Sequence, residues 1–357
     1  MSNPQPIFIS YEDLTSNSKD IIDSIKLAFG SDGLGLIIVK GVPGYSEARA
    51  NCLPLGYKFG NLSEEIKSKY EDRESIYSFG WSCGKEKMSS GLPDVSKGSY
   101  YANPTYDIPS DNPEDVKLFP AFFRPNIWPD NDCSGFSQSF KTLGQLLVDT
   151  GALLSKSIDA LVDSQQSNYA IKLSNVISTS RNAKARLLYY FPSSSSSSEK
   201  KSEEWCGWHF DHGSLTGLAS AMYFDSNGKE VSCPDDKAGL YVRIRSGETV
   251  QVKIPSDCIA FQIGETAQIH SGGLLQATAH MVRAAESPGI SRSTLAVFME
   301  PGPFELMNCP EGSDIETVVN GGAQLLPKGV PLLSTRWNAK SSQTFGDFTE
   351  KTLSSYY

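Results

Sequence analysis

The chain has 357 residues, room for one elaborated domain or two intimate ones around a sizeable core. Its 32 Lys plus Arg stand against 41 Asp plus Glu for a formal net charge of -9, and no basic run breaks that balance, which argues against a nucleic-acid partner. Seven cysteines, odd in number and without a CxxC pair, argue against a disulfide framework or zinc knuckle; with no signal-like N-terminus and no long apolar run, the expectation is a cytoplasmic protein with no membrane segment.

In chain order, Ser18 is placed to cap a short helix whose apolar residues Ile21, Ile22, Ile25 and Phe29 precede Gly30. Residues 34–39 (LGLIIV) then read as a buried strand. Gly33 and Gly35 follow a helix rather than open one, and neither GxGxxG nor GKS/T is present, so this is no phosphate loop. Tyr77, Trp81, Tyr100, Tyr101 and Trp128 fall in a segment that reads as irregular, its aromatics serving first as packing and second as pocket walls. Over 136–162, Phe136, Phe140, Leu143, Leu147, Leu154, Ile158 and Leu161 recur at spacings of three, four or seven, one face of a long amphipathic helix. Its other face has no basic stripe, which makes it a brace against a sheet rather than a membrane or partner helix.

Beyond Lys184 the texture changes to short apolar runs at 187–191, 215–224, 239–244, 249–254, 258–263, 275–282 and 294–298, all with strand signals. Leu240, Val242 and Ile244 alternate with other residues and connect through Arg245-Ser246-Gly247-Glu248 to Val250, Val252 and Ile254, a hairpin pattern. So many closely spaced strands predict a mainly β fold with flanking helices: a double-stranded β-helix, or jelly roll, braced by the long helix. Six serines at 193–198 and the charged residues after them predict a surface loop, with a lid as the second reading because Trp205 and His209 follow. The segment from Phe304 onward, with Trp337, Phe345, Phe348, Tyr356 and Tyr357, reads as helical cover. The organisation expected is a mixed region with the bracing helix over 1–183, a strand-rich core over 184–303 and the cover over 304–357.

His209 and Asp211 are two apart, so in an extended segment they project to one side while Phe210 points away. With His280 arriving from another strand, two imidazoles and a carboxylate form a three-ligand face for a ferrous ion that leaves positions for a co-substrate and dioxygen. His212 and His270 read as ordinary buried polar residues. A turn at Pro288-Gly289 lets the segment holding Arg292 run antiparallel to that of His280, bringing the guanidinium towards the metal. Arg292 binds a carboxylate bidentately and Thr294, on the same face, adds a hydroxyl donor, so a diacid chelated at one end is clamped at the other.

In order, LGLIIVKGVP, LLYYFP, GWHFDHGSLTGL, GLYVRIRSGETVQVKIP, IAFQIGETAQIHSGG, AHMVRA and SRSTLAVFMEP resemble segments of the plant-type, isopenicillin N synthase-like family of 2-oxoglutarate and Fe(II) dependent dioxygenases. The resemblance implies that His209, Asp211 and His280 hold Fe(II) and that Arg292 and Thr294 bind the far carboxylate of 2-oxoglutarate. It also implies O2 as co-substrate, ascorbate as a candidate reductant, and hydroxylation, desaturation or ring closure of a small organic substrate with release of succinate and CO2. Phe191 precedes Pro192 where the family often has a tyrosine that assists co-substrate binding; Tyr189 or Tyr190 substitutes for it only through a shift of register, and Tyr190 is the candidate. The expectation is a monomer acting on a small molecule, with neither nucleic acid nor membrane as partner. A nucleic-acid demethylase on the same scaffold tends to carry a second Arg six positions on, where this chain has Phe298. A non-catalytic binder and an oxidase that does not use 2-oxoglutarate stay open as alternatives.

Overall fold

Runs rich in β-branched and aromatic residues assemble into two sheets that share an interior. The computed structural model describes residues 5–16, 18, 20–86, 93–192, 204–320, 325–327 and 329–356, so the serine loop and its lid reading lie outside the described residues. In chain order the strands are β1 (Ile7–Ser10), β2 (Leu36–Lys40), β3 (Gly80–Cys83), β4 (Lys97–Ala102), β5 (Lys184–Tyr190), β6 (Glu204–His209) and β7 (Leu215–Ala219). They continue with β8 (Met222–Phe224), β9 (Glu230–Val231), β10 (Gly239–Arg243), β11 (Thr249–Val252), β12 (Cys258–Ile263), β13 (Ala279–Arg283) and β14 (Ser291–Met299). The large sheet runs β1-β2-β12-β7-β14-β5-β4-β3, with β8 paired to β14 and β9 to β8; the small one runs β11-β10-β13-β6.

The long helix Phe136–Gln165 covers the outer face of the large sheet, where its Phe136, Phe140, Leu143, Leu147, Leu154 and Ile158 join Leu187, Leu215, Phe261, Leu295 and Val297 in one apolar core. Close approach requires a glycine: a Cβ on Gly151 would sit 2.6 Å from the Met299 sulfur. On the inner face Leu36, Ile38 and Ala260 meet Leu240, Val242, Val250 and Val252 of the small sheet, while Leu188, Tyr190 and Ala296 meet Trp205 and Val282. With both faces covered, all six residues of β12 are buried.

The 239–254 hairpin forms as expected, with Leu240 opposite Val252, Val242 opposite Val250, and Gly247 supplying a φ of +86° in the turn. Elsewhere the structure departs from the sequence expectation. The run 215–224 breaks into β7 and β8 at Ser220, whose N–H is bonded by the Tyr45 hydroxyl oxygen and whose carbonyl accepts from Arg49 Nε, both on the unanticipated helix Tyr45–Gly60. The expected strand 275–282 starts only at Ala279, because a helix, Glu265–His270, precedes it and the Ala277 N–H is taken by Gln268 Oε1. The supposedly irregular segment supplies β3 and β4: Trp81 and Tyr100 pack in the outer core, Tyr101 on the opposite face. Toward the C-terminus, helices Ile315–Asn320, Leu333–Arg336 and Phe345–Tyr356 gather Val318, Leu333, Trp337, Phe345 and Phe348 against Phe122, Phe123 and Ile269. Among the described residues no helix is long and apolar enough to cross a membrane.

Candidate functional site

β6 ends on His209 and β13 carries His280, and the two are direct cross-strand partners with ring centroids 4.3 Å apart. The ladder is irregular beyond them: Val282 pairs with Cys206 and Arg283 with Glu204, so extra residues on β6 re-aim its end. Asp211 lies just past the strand, in a loop pinned by the start of the helix Glu265–His270. The Glu265 N–H donates to the Asp211 carbonyl at 2.8 Å, the Gly264 N–H to Ser214 at 3.1 Å, and the Thr266 hydroxyl to His212 at 2.6 Å. Only glycine fits at 264, since a Cβ there would lie 2.1 Å from the Gly213 carbonyl oxygen.

These elements bring one ligand atom each from His209, Asp211 and His280 within 4.8 Å of one another. Asp211 Oδ1 is 3.9 Å from His209 Nε2 and 3.7 Å from His280 Nε2, too far for hydrogen bonds, and Oδ2 is buried without a partner. Nδ1 of His209 faces the Gly207 carbonyl at 2.8 Å and Nδ1 of His280 faces that of Thr278 at 3.2 Å. A carbonyl can only accept, so each Nδ1 carries a hydrogen and Nε2 is the atom each ring turns inward. Once both Nε2 atoms are free of a proton, three acceptors converge with no donor among them, which is what a cation satisfies, and a His, His, carboxylate set suits ferrous iron.

Burial and the neighbouring His209 push the His280 ring down to about 4, leaving it neutral. For His209 burial acts the same way, but the charge and hydrogen bond of Cys206, then Asp211, outweigh it and raise the ring to about 9. The Cys206 sulfur is 3.8 Å away and 30% of the His209 side chain is exposed, so water damps that pull. An incoming cation would compete with a proton at this ring.

On β14, Arg292 and Thr294 share the inward face while Leu295 and Val297 belong to the outer core. Arg292 is 7% exposed, packs 4.9 Å over the Tyr190 ring and hydrogen-bonds with Tyr223, yet its Nε and Nη1 have no partner. A buried guanidinium with idle donors is costly until an anion meets it. The Thr294 hydroxyl donates to the Ala219 carbonyl at 2.7 Å, so it turns a lone pair rather than a proton to the interior. Tyr190 is the cross-strand partner of Arg292 and packs against Trp205, whereas Tyr189 faces the outer core and its hydroxyl accepts from Asn61. His212 and His270 stay out of the triad. His212 lies flat on Phe345, ring centroids 5.7 Å apart, and His270 Nε2 donates to the Leu306 carbonyl at 3.3 Å; burial pushes both rings down to about 4.

Sequence reasoning missed a polar wall beside this interior. Lys97, Ser99 and Tyr101 of β4 stand opposite Tyr190, Leu188 and Arg186 of β5, on the face that Tyr190 shares with Arg292. Arg186 donates to Ser99 Oγ at 2.9 Å and to Glu86 at 2.7 Å and lies over the Tyr101 ring, while Glu86 also meets Lys97 at 3.1 Å and the Tyr101 hydroxyl at 3.2 Å. Burial alone would raise Glu86, but Arg186 and Lys97 outweigh it and hold the carboxyl down at about 2. The alternation of polar residues in KGSYYA was the available signal, readable only once that segment is known to be a strand.

No protein-family model and no curated protein sequence matches the chain. Solved structures do. A candidate 2OG-Fe(II) oxygenase family protein from Caulobacter crescentus superposes with a TM-score of 0.69 at 16% identity, covering 99% of both chains. A full-length Neurospora crassa protein solved in complex with alpha-KG and thymine gives 0.68 at 16% identity over 100% of this chain and 99% of the other. A rice dioxygenase for auxin oxidation gives 0.60 at 16% identity, covering 98% and 95%. At such identities the likeness establishes the fold alone: this chain is built as these proteins are.

Proposed function

We propose that the protein is a 2-oxoglutarate- and Fe(II)-dependent dioxygenase of the isopenicillin N synthase-like kind, its two-sheet core a double-stranded β-helix, oxidising a small polar metabolite with release of succinate and CO2. Three lone-pair-bearing groups converge from two strands and a loop, and a buried guanidinium with two idle donors lies on the same interior. A cation site facing a carboxylate anchor is what a chelating dicarboxylate requires. That the Neurospora crassa protein holds alpha-KG within this fold supports the choice of ligand.

His209, Asp211 and His280 would hold the iron, each imidazole fixed in its tautomer by a backbone carbonyl. Ferrous iron with 2-oxoglutarate and dioxygen supplies the power to oxidise an unactivated C–H bond. Arg292 takes the far carboxylate of 2-oxoglutarate, with Tyr190 backing the guanidinium and the Thr294 oxygen lining the same face. Trp205 and Leu188 pack beside Tyr190 and add apolar surface next to the anchor, which would limit water there. Lys97, Ser99, Tyr101 and Arg186 form the wall on which the substrate rests; its charges are balanced internally by Glu86 and Asp94, favouring a hydrogen-bonding molecule over an apolar one. The protein acts alone on this small molecule, in the cytoplasm, without nucleic acid or membrane.

Anaerobic addition of 2-oxoglutarate to the ferrous protein tests the reading. A metal-to-ligand charge-transfer band in wild type and none in Asp211→Ala is the expected result; a wild type without the band defeats the co-substrate assignment. Succinate release across a panel of polar metabolites then identifies the substrate.

A further inference from the structure

The loop bearing Asp211 is gripped from the C-terminal segment. Glu265, whose N–H holds the Asp211 carbonyl, is 2% exposed, and its carboxylate is met bidentately by Arg336, 1% exposed and 71 residues away, at 2.7 and 2.5 Å. Arg336 is itself fixed by bonds to Thr352 Oγ1 at 3.0 Å and the Pro331 carbonyl at 3.2 Å, and lies over the Phe348 ring. Phe345, from the same terminal helix as Phe348, lies flat against His212, the residue after Asp211. The C-terminal segment thus touches the ligand loop both directly and through the helix that pins it.

A fully buried ion pair rarely outperforms apolar residues of similar volume as a source of stability, and Trp337, Phe345 and Phe348 already give this segment an apolar anchorage. What the pair adds is orientation: a two-pronged contact fixes the rotation of Glu265, and with it the first turn of the helix. We propose that Arg336 is a positioning residue for the metal centre, acting through Glu265 to hold the Asp211 carboxylate towards His209 and His280 only when the C-terminal segment is docked. This rests on the reading of that triad as a metal site.

The test is Mn(II) binding to the full-length protein, followed by the loss of the free-ion paramagnetic resonance signal. Arg336→Met should weaken binding about 10- to 100-fold, the range for losing a group that orients a ligand, and Arg336→Lys should recover part of it. Because Arg336→Met strands a buried carboxylate and can unfold the chain, Glu265→Gln/Arg336→Met removes both charges; folded by circular dichroism but weak in Mn(II) binding, it supports the proposal. Either folded variant binding Mn(II) like wild type overturns it. If wild type and Asp211→Ala bind Mn(II) equally, the metal reading itself falls and takes the positioning role with it.

Discussion

Arg292→Leu separates what a buried cation costs the empty protein from what it contributes once an anion is bound. In the empty protein its idle Nε and Nη1 cost about 1–3 kcal/mol each. Stacking on Tyr190 returns about 1–2 kcal/mol and the hydrogen bond with Tyr223 about 1.5–3 kcal/mol. Loss and gain nearly cancel, so the ligand-free midpoint of the variant should stay within about 3 °C of wild type. With 2-oxoglutarate present the balance tips. Two charge-assisted bonds at about 1.5–3 kcal/mol each correspond to a loss of roughly two to four orders of magnitude in affinity. Anaerobic titration of the ferrous protein, read by the charge-transfer band, measures that loss, and thermal melts give an independent reading. At 100 times its Kd the co-substrate stabilises wild type by about 2.7 kcal/mol, an upward shift of about 4 °C that the variant should lack. A variant whose Kd stays within about threefold of wild type, or whose empty midpoint falls as far as its loaded one, refutes the reasoning.

Asp211→Ala should retain no iron at concentrations that saturate wild type; stoichiometric iron by elemental analysis would sink the triad. Gly264→Ala should displace the Asp211 loop, because its Cβ meets the Gly213 carbonyl at 2.1 Å; Mn(II) affinity falls about tenfold or more with circular dichroism preserved, and unchanged affinity contradicts the role of that turn. His270, 4% exposed, is pushed by burial from 6.5 down to about 4. A depressed pKa contributes stability that is present above pH 6.5 and lost as pH falls through 4, here about 3 kcal/mol. Urea melts at pH 7 and pH 4 should therefore show a smaller acid loss for His270→Gln than for wild type, and an identical loss in both would show that this ring is not the group titrating.

The parts of the fold legible in the sequence were those whose pattern is dictated by burial on a single scale. The strand Cys258–Ile263 is apolar at five of its six positions and buried on both faces, and Phe136–Gln165 repeats its apolar residues along one stripe, so both announce themselves. β4, with Lys97, Ser99 and Tyr101 turned to a polar interior, alternates only with Gly98, Tyr100 and Ala102, too weak an apolar set to mark a strand on its own. The helix Glu265–His270 is buried at every position and too short for a period to emerge, so nothing in the sequence marks it. In the site, a two-residue spacing was enough to align His209 with Asp211, although the aspartate is oriented by a loop beyond the strand end. Arg336 is one arginine in an unpatterned segment, and its partner lies 71 residues away. No local signal marks such a pair.

His209 and His280 belong to the small sheet and Arg292 to the large one. On the proposed assignment, a single dicarboxylate therefore acts as a strut between two walls that meet through apolar contacts. Seating it sets the gap between the sheets, and so the width of the chamber left for the third reactant. On that assignment the oxidisable molecule would find a finished berth only after the strut is in place.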